Sequence, residues 1–264
     1  MDSKIIKYIL ILFLFSFKVS AVEFSGKFIQ GSFILGKTKP GSKVEIDNRQ
    51  VKVSKDGYFA FGLSRERKNN IIIKVLKDKK LEVFEKKVFK RKYKIQRIDG
   101  LPEKKVTPPK EVYERIKKEN KIIGDARAID SNLTFFKEKF IKPLDNAIVT
   151  GVYGSQRILN GKPKWPHYGI DFAAKEGTKI KAMLDGTATM VEPDLFYTGG
   201  TLIFDHGHGI STLYMHMKDI YVKKDQKVKQ GDVIGTVGST GRSTGPHLDI
   251  RLNWFDVRLD PATV

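Results

Sequence analysis

The chain has no cysteine among its 264 residues. That excludes disulfides, a lipid-modified cysteine and thiolate metal ligands, so an exported form must rely on its cores alone. Histidine is scarce as well: all five lie between His167 and His247, and the first 166 residues contain none. The apolar run near the N-terminus, Tyr8 to Phe17, is closed by Lys18 after ten residues. A membrane-spanning helix needs about 20.

That short run has another reading. Lys4 and Lys7 precede it and Val19-Ser20-Ala21 follows, so residues 1–21 read as a secretory signal cleaved after Ala21. An exported protein of the bacterial periplasm or cell envelope is expected. The formal charge is +19; Lys4, Lys7 and Lys18 against Asp2 account for two of those charges, leaving +17 on residues 22–264. So basic a surface attracts polyanions. Outside the cytoplasm these are anionic envelope polymers, lipid head groups and wall-peptide carboxylates, whereas nucleic acid is not expected behind an export signal. The bland alternative is a solvated face, with lysines such as Lys86-Lys87 scattered along strands.

Residues 22–100 alternate with period two. Lys43-Val44-Glu45-Ile46-Asp47 and Val51-Lys52-Val53-Ser54 precede a Lys55-Asp56-Gly57 turn and Tyr58-Phe59-Ala60-Phe61. This predicts short antiparallel strands in a small β-sandwich-like domain of immunoglobulin-like type. Prolines at 102, 108 and 109 predict an extended linker. A helix is expected from Glu111 to Arg127, so that residues 101–145 form a linker and helix between domains. Beyond Phe140, glycines at nearly every turn predict a compact antiparallel β domain over residues 146–264. The expected fold class is mainly β.

The chemistry concentrates in that last domain. His247 and Asp249 sit two apart in a strand-like segment and project to one face, while Leu248 and Ile250 face the core. His167 and Asp171 are four apart across Tyr168-Gly169-Ile170, where Gly169 permits a bend. Imidazole nitrogens and carboxylate oxygens are what zinc takes when no thiolate is available, and a catalytic zinc needs three protein ligands and an open position. His206 and His208, around Gly207, read as structural.

Three segments then carry a resemblance: His167-Tyr-Gly-Ile-Asp171, Asp205 to His216, and Gly238 to Asp249. In order and spacing they are similar to the signature blocks of the M23, lysostaphin-type zinc metallopeptidases, over roughly Asn146 to Pro261. The resemblance implies an antiparallel β endopeptidase with one Zn2+, cleaving peptide stems or cross-links of peptidoglycan. It implies His167, Asp171 and Asp249 as metal ligands and His216 and His247 as catalytic residues. Tyr214 and Arg157 are the candidate substrate-binding residues. Asp249 departs from the pattern, since that family usually has histidine there. A second carboxylate makes the ion and its ligands neutral instead of +1, so weaker polarisation of water is expected. Two other readings stand beside this one. The first is a catalytically weak or inactive M23-like domain that binds peptidoglycan or activates another wall hydrolase. The second is a biotinyl- or lipoyl-like carrier module, from the hairpins at Gly177–Gly186 and Val228–Gly235.

Overall fold

The structure, a computed structural model, describes residues 22–264; the expected signal segment, 1–21, lies outside the described residues. Period-two alternation produces the N-terminal unit. One antiparallel sheet contains β1 (Glu23–Ser25), β2 (Phe33–Lys37) and β5 (Tyr58–Gly62) in that order. The other contains β3 (Lys43–Ile46), β4 (Arg49–Val51), β6 (Ile71–Lys77) and β7 (Lys80–Lys86) in the order β4-β3-β6-β7. Val44, Ile46, Ile71, Ile73 and Val75 turn inward. They meet an aromatic cluster in which Phe24 packs edge-on against Phe84 at 5.6 Å and against Phe59 at 6.2 Å. The sandwich-like architecture expected from the pattern is present.

The proline stretch differs from expectation. Instead of an extended linker, residues 101–109 are packed: α1 (Glu103–Val106) forms between the prolines. Leu101 and Val106 bury themselves with Leu159. Prolines forbid a continuous strand or helix but leave room for a single turn, and two apolar side chains suffice to dock it. Just upstream, β8 (Ile95–Ile98) runs parallel to β10 (Gln156–Leu159), which pairs in turn with β11 (Lys162–Pro163). After Pro109, a 3-10 turn leads into α2 (Tyr113–Arg127), whose Ile123 and Ala126 pack on Met190, Leu195, Ile203 and Leu213.

Ten strands form the C-terminal sheet. Its main path is β17 (Lys227–Val228), β14 (Gly186–Leu195), β15 (Gly199–Gly207), β16 (Ile210–Ile220), β19 (His247–Trp254), β12 (Ile170–Ala173) and β9 (Ile148–Gly151). Off that path, β13 (Lys179–Lys181) pairs with β18 (Val233–Val237), β18 with β16, and β20 (Val257–Leu259) with β19. One continuous hydrophobic core joins both units, from Ile34 and Phe61 to Tyr214, Ile250 and Leu259. Gly62 abuts Leu259 so closely that a Cβ would collide with it. The seam is also polar: the Asp260 amide donates to the Gly31 carbonyl at 2.8 Å, and Arg91 pairs with Asp260 at 2.7 Å.

Candidate metal centre

Strand register builds the site. In the antiparallel pair β12–β19, Asp171 lies directly opposite Asp249, and Ala173 opposite His247. Opposed residues share a sheet face, and like charges placed this way repel unless something positive stands between them. Both carboxylates are buried. His167 enters the same space from the segment before β12. Its backbone is pinned there, the amide donating to Ser155 at 2.8 Å and the carbonyl accepting from Gly154 at 2.7 Å.

His167 Nε2 lies 3.1 Å from Asp171 Oδ1 and 3.3 Å from Asp249 Oδ2. Neither approach has hydrogen-bond geometry: both His167 ring nitrogens and Asp171 Oδ1 are buried without a partner. One donor atom from each of the three residues falls within 4.8 Å of the others. Buried polar atoms normally find partners, so three donors converging without bonding one another fit a divalent cation. Glycine at two positions makes room, because a Cβ at Gly151 or Gly169 would collide with the Asp171 or Asp249 carboxylate respectively. Electrostatics agree. Burial pushes the His167 imidazolium down, but Asp249 and Asp171 outweigh it and raise the pKa above the usual value. Burial pushes the Asp249 carboxyl up, yet Arg251, His167 and Arg157 hold it well below the usual range. The cluster thus demands positive charge, as a proton or as a metal ion.

His216 and His247 stand beside it with ring centroids 4.6 Å apart. Met215 is opposite Asp249, so strict alternation would send His216 to the other face. Its φ of +62° reverses that. The turn comes where β16 leaves β19 at Met215 and takes up β18 at Met217. Histidine tolerates this left-handed conformation better than most residues. His216 Nδ1 lies 2.8 Å from the Thr240 carbonyl, which can only accept, so Nδ1 carries the proton and Nε2 is free. Thr240 is itself fixed: its Oγ1 donates to the Met217 carbonyl and accepts from the Gly200 amide, both at 2.9 Å. By the same reasoning His247 Nδ1, 2.8 Å from the Gly245 carbonyl, is protonated. Its Nε2 lies 4.0 Å from Asp171 Oδ1. Burial, reinforced by His247, pushes the His216 imidazole down to about 4, so it is neutral above that pH.

The structure brings His167, Asp171, Asp249, His216 and His247 together, and two other expectations need correction. Tyr214 is fully buried and accepts a hydrogen bond from the Met183 amide at 2.8 Å. It shares the core face with its cross-strand partner Ile250 and cannot touch substrate. Arg157 is committed to Asp171, its Nη2 lying 2.5 Å from Oδ2, so its charge steadies a carboxylate of the cluster instead of meeting ligand directly. His206 is structural: its Nδ1–H donates to the Asp185 carbonyl at 2.7 Å and its Nε2 accepts from Thr212 at 2.8 Å. Sequence reasoning missed Thr240 and Arg251. Arg251 had a signal, because the alternation that aligns His247 with Asp249 carries on to it.

A mainly antiparallel β scaffold with a His/Asp/Asp cluster and two free imidazole nitrogens beside it defines a metallohydrolase-type site. Residues 165–261 match the model of Peptidase family M23. Over 98 residues the chain is 44% identical to the DD-carboxypeptidase/endopeptidase Mpg of Neisseria meningitidis, covering 37% of this chain and 22% of that protein. It is 35% identical over 138 residues to the peptidoglycan DD-endopeptidase ShyC of Vibrio cholerae, covering 51% of this chain and 31% of the relative. The chain therefore spans less than a third of either curated relative. A crystal structure of an M23 peptidase candidate from Pseudomonas aeruginosa superposes with a TM-score of 0.71 at 25% identity, over 90% of this chain and 94% of that one. The likeness extends through the N-terminal unit as well.

Proposed function

We propose that this protein is an exported, zinc-dependent endopeptidase that hydrolyses peptide bonds in the stems or cross-links of peptidoglycan. The observation that carries the reading is the convergence of donors from His167, Asp171 and Asp249, with those of His167 and Asp171 Oδ1 unpartnered, beside two free imidazole nitrogens. Those three residues would hold the ion, which supplies a Lewis acid that acidifies water and polarises a scissile carbonyl.

The rest belongs to the chain's own side chains. His216, neutral and with its Nδ1–H anchored on Thr240, offers Nε2 as the proton acceptor. His247 is the more exposed of the two, and its Nδ1–H is held by Gly245. Its Nε2 is then a second proton acceptor; after taking up a proton there, as imidazolium, it would stabilise the developing oxyanion and pass that same proton to the leaving amine. Peptidoglycan as substrate draws support from the names of the curated relatives. Export rests on the pattern of residues 1–21, and the basic surface would favour the anionic envelope.

The test is metal content and wall hydrolysis on residues 22–264. About one zinc per chain and release of peptides from purified peptidoglycan are expected, both abolished in His167→Ala. A chain that takes up no metal even when zinc is supplied would shift the reading to an inactive M23-like binding domain. Full lytic activity in His167→Ala would overturn the ligand assignment.

A further inference from the structure

Each carboxylate of the cluster has its own guanidinium, and the two pairs differ. Asp171 divides its oxygens: Oδ1 faces His167, while Oδ2 takes Arg157. Asp249 does not divide them. The oxygen 3.3 Å from His167 Nε2 is Oδ2, and Arg251 Nη2 contacts that same atom at 3.0 Å, with Arg251 Nε 3.4 Å from Oδ1. Arg251 thus engages the oxygen that faces the cluster. One imidazole and two carboxylates around a divalent cation sum to zero; the two guanidiniums return the local charge to that of the bare ion. Groups behind a ligand set both its orientation and its donor strength.

We propose, on the reading that this cluster holds a divalent metal, that Arg251 is a positioning residue that draws charge from the Asp249 donor oxygen, trading metal affinity for polarising power. A carboxylate shared with a guanidinium donates less to the ion, so the metal stays electron-poor although two of its three ligands are anionic. This gives the second carboxylate a place in the site without the weakening that its charge alone implies.

The proposal predicts a sign that a merely structural arginine does not. If Arg251 only held Asp249 in its rotamer, its removal would loosen the ligand and weaken metal binding. If it drains the donor, removal strengthens binding and slows hydrolysis. The experiment is zinc competition against a chelating dye, with peptidoglycan digestion in parallel, on residues 22–264. Arg251→Gln is expected to bind zinc on the order of tenfold more tightly and to cleave on the order of tenfold more slowly. Arg251→Lys keeps the charge and should stay near native values in both assays. Unchanged or weaker zinc binding by a folded Arg251→Gln, judged by circular dichroism, overturns the proposal and leaves the metal site standing. Failure of the native chain to bind zinc overturns the metal reading itself.

Discussion

Acid titration of His206 is the most quantitative consequence of the structure. The ring is completely buried, and burial outweighs the Asp185 carbonyl and carboxylate to bring its pKa down to about 4 from the ordinary imidazole value of 6.5. The unfolded chain therefore takes up a proton near pH 6.5 that the folded chain refuses until about pH 4. The stability that His206 contributes is complete above pH 6.5 and falls as pH drops from 6.5 to about 4, because the unfolded state binds more protons throughout that window. A shift of this size is worth roughly 3 kcal/mol at 1.36 kcal/mol per unit. Other groups titrate in the same range, and His167 does so with the opposite sign, since its pKa is raised. The informative quantity is thus the difference between the native chain and His206→Gln, measured by urea unfolding from pH 7.5 to 4 with a chelator present. His206→Gln should be less stable at pH 7.5, through loss of the Asp185 and Thr212 bonds, and the gap should shrink by about 3 kcal/mol on going to pH 4. A gap independent of pH would refute the claim that His206 is held neutral by burial.

Other outcomes follow from packing at and around the site. Gly169→Ala drives a Cβ into the Asp249 carboxylate and the Ile250 carbonyl; a loss of about 1–3 kcal/mol in unfolding free energy is expected, with weaker zinc binding by dye competition. Tyr214→Phe strands the buried Met183 amide and should cost about 1–3 kcal/mol while leaving KM for peptidoglycan fragments unchanged, because the phenol does not reach substrate. Phe61→Ala, in the core shared by both units, should cost about 3–5 kcal/mol. Calorimetry should then still show one transition, with both units melting together at lower temperature.

Local pattern made half of the site legible, and strand register made the other half. His247 and Asp249 share a face because a strand repeats every two residues, a fact visible in the letters alone. Applied to Tyr214, the same rule fails. Two residues before His216, it should share the imidazole's face, and it would if β16 were regular. The left-handed backbone at His216 turns the imidazole to the site and leaves Tyr214 in the core, and the cause of that turn is long-range, the exchange of partner strands between Met215 and Met217. The opposition of Asp171 to Asp249 is likewise a register fact, invisible in a sequence where the two lie 78 positions apart. Architecture follows the same division. Alternation announced the strands of the N-terminal unit, but it cannot say what a buried face packs against. That depends on contacts such as Gly62 on Leu259, which merge two expected domains into one core. The prolines at 102, 108 and 109 signalled an interruption correctly, yet whether an interruption is extended or packed turns on what lies beside it. Here Leu159 offered Leu101 and Val106 a place to bury. The guanidiniums of Arg157 and Arg251 follow the same logic. On a chain this basic an arginine looks like surface until register sets its charge against a buried carboxylate, and there it becomes part of the electrostatics that let two acids occupy one buried cluster.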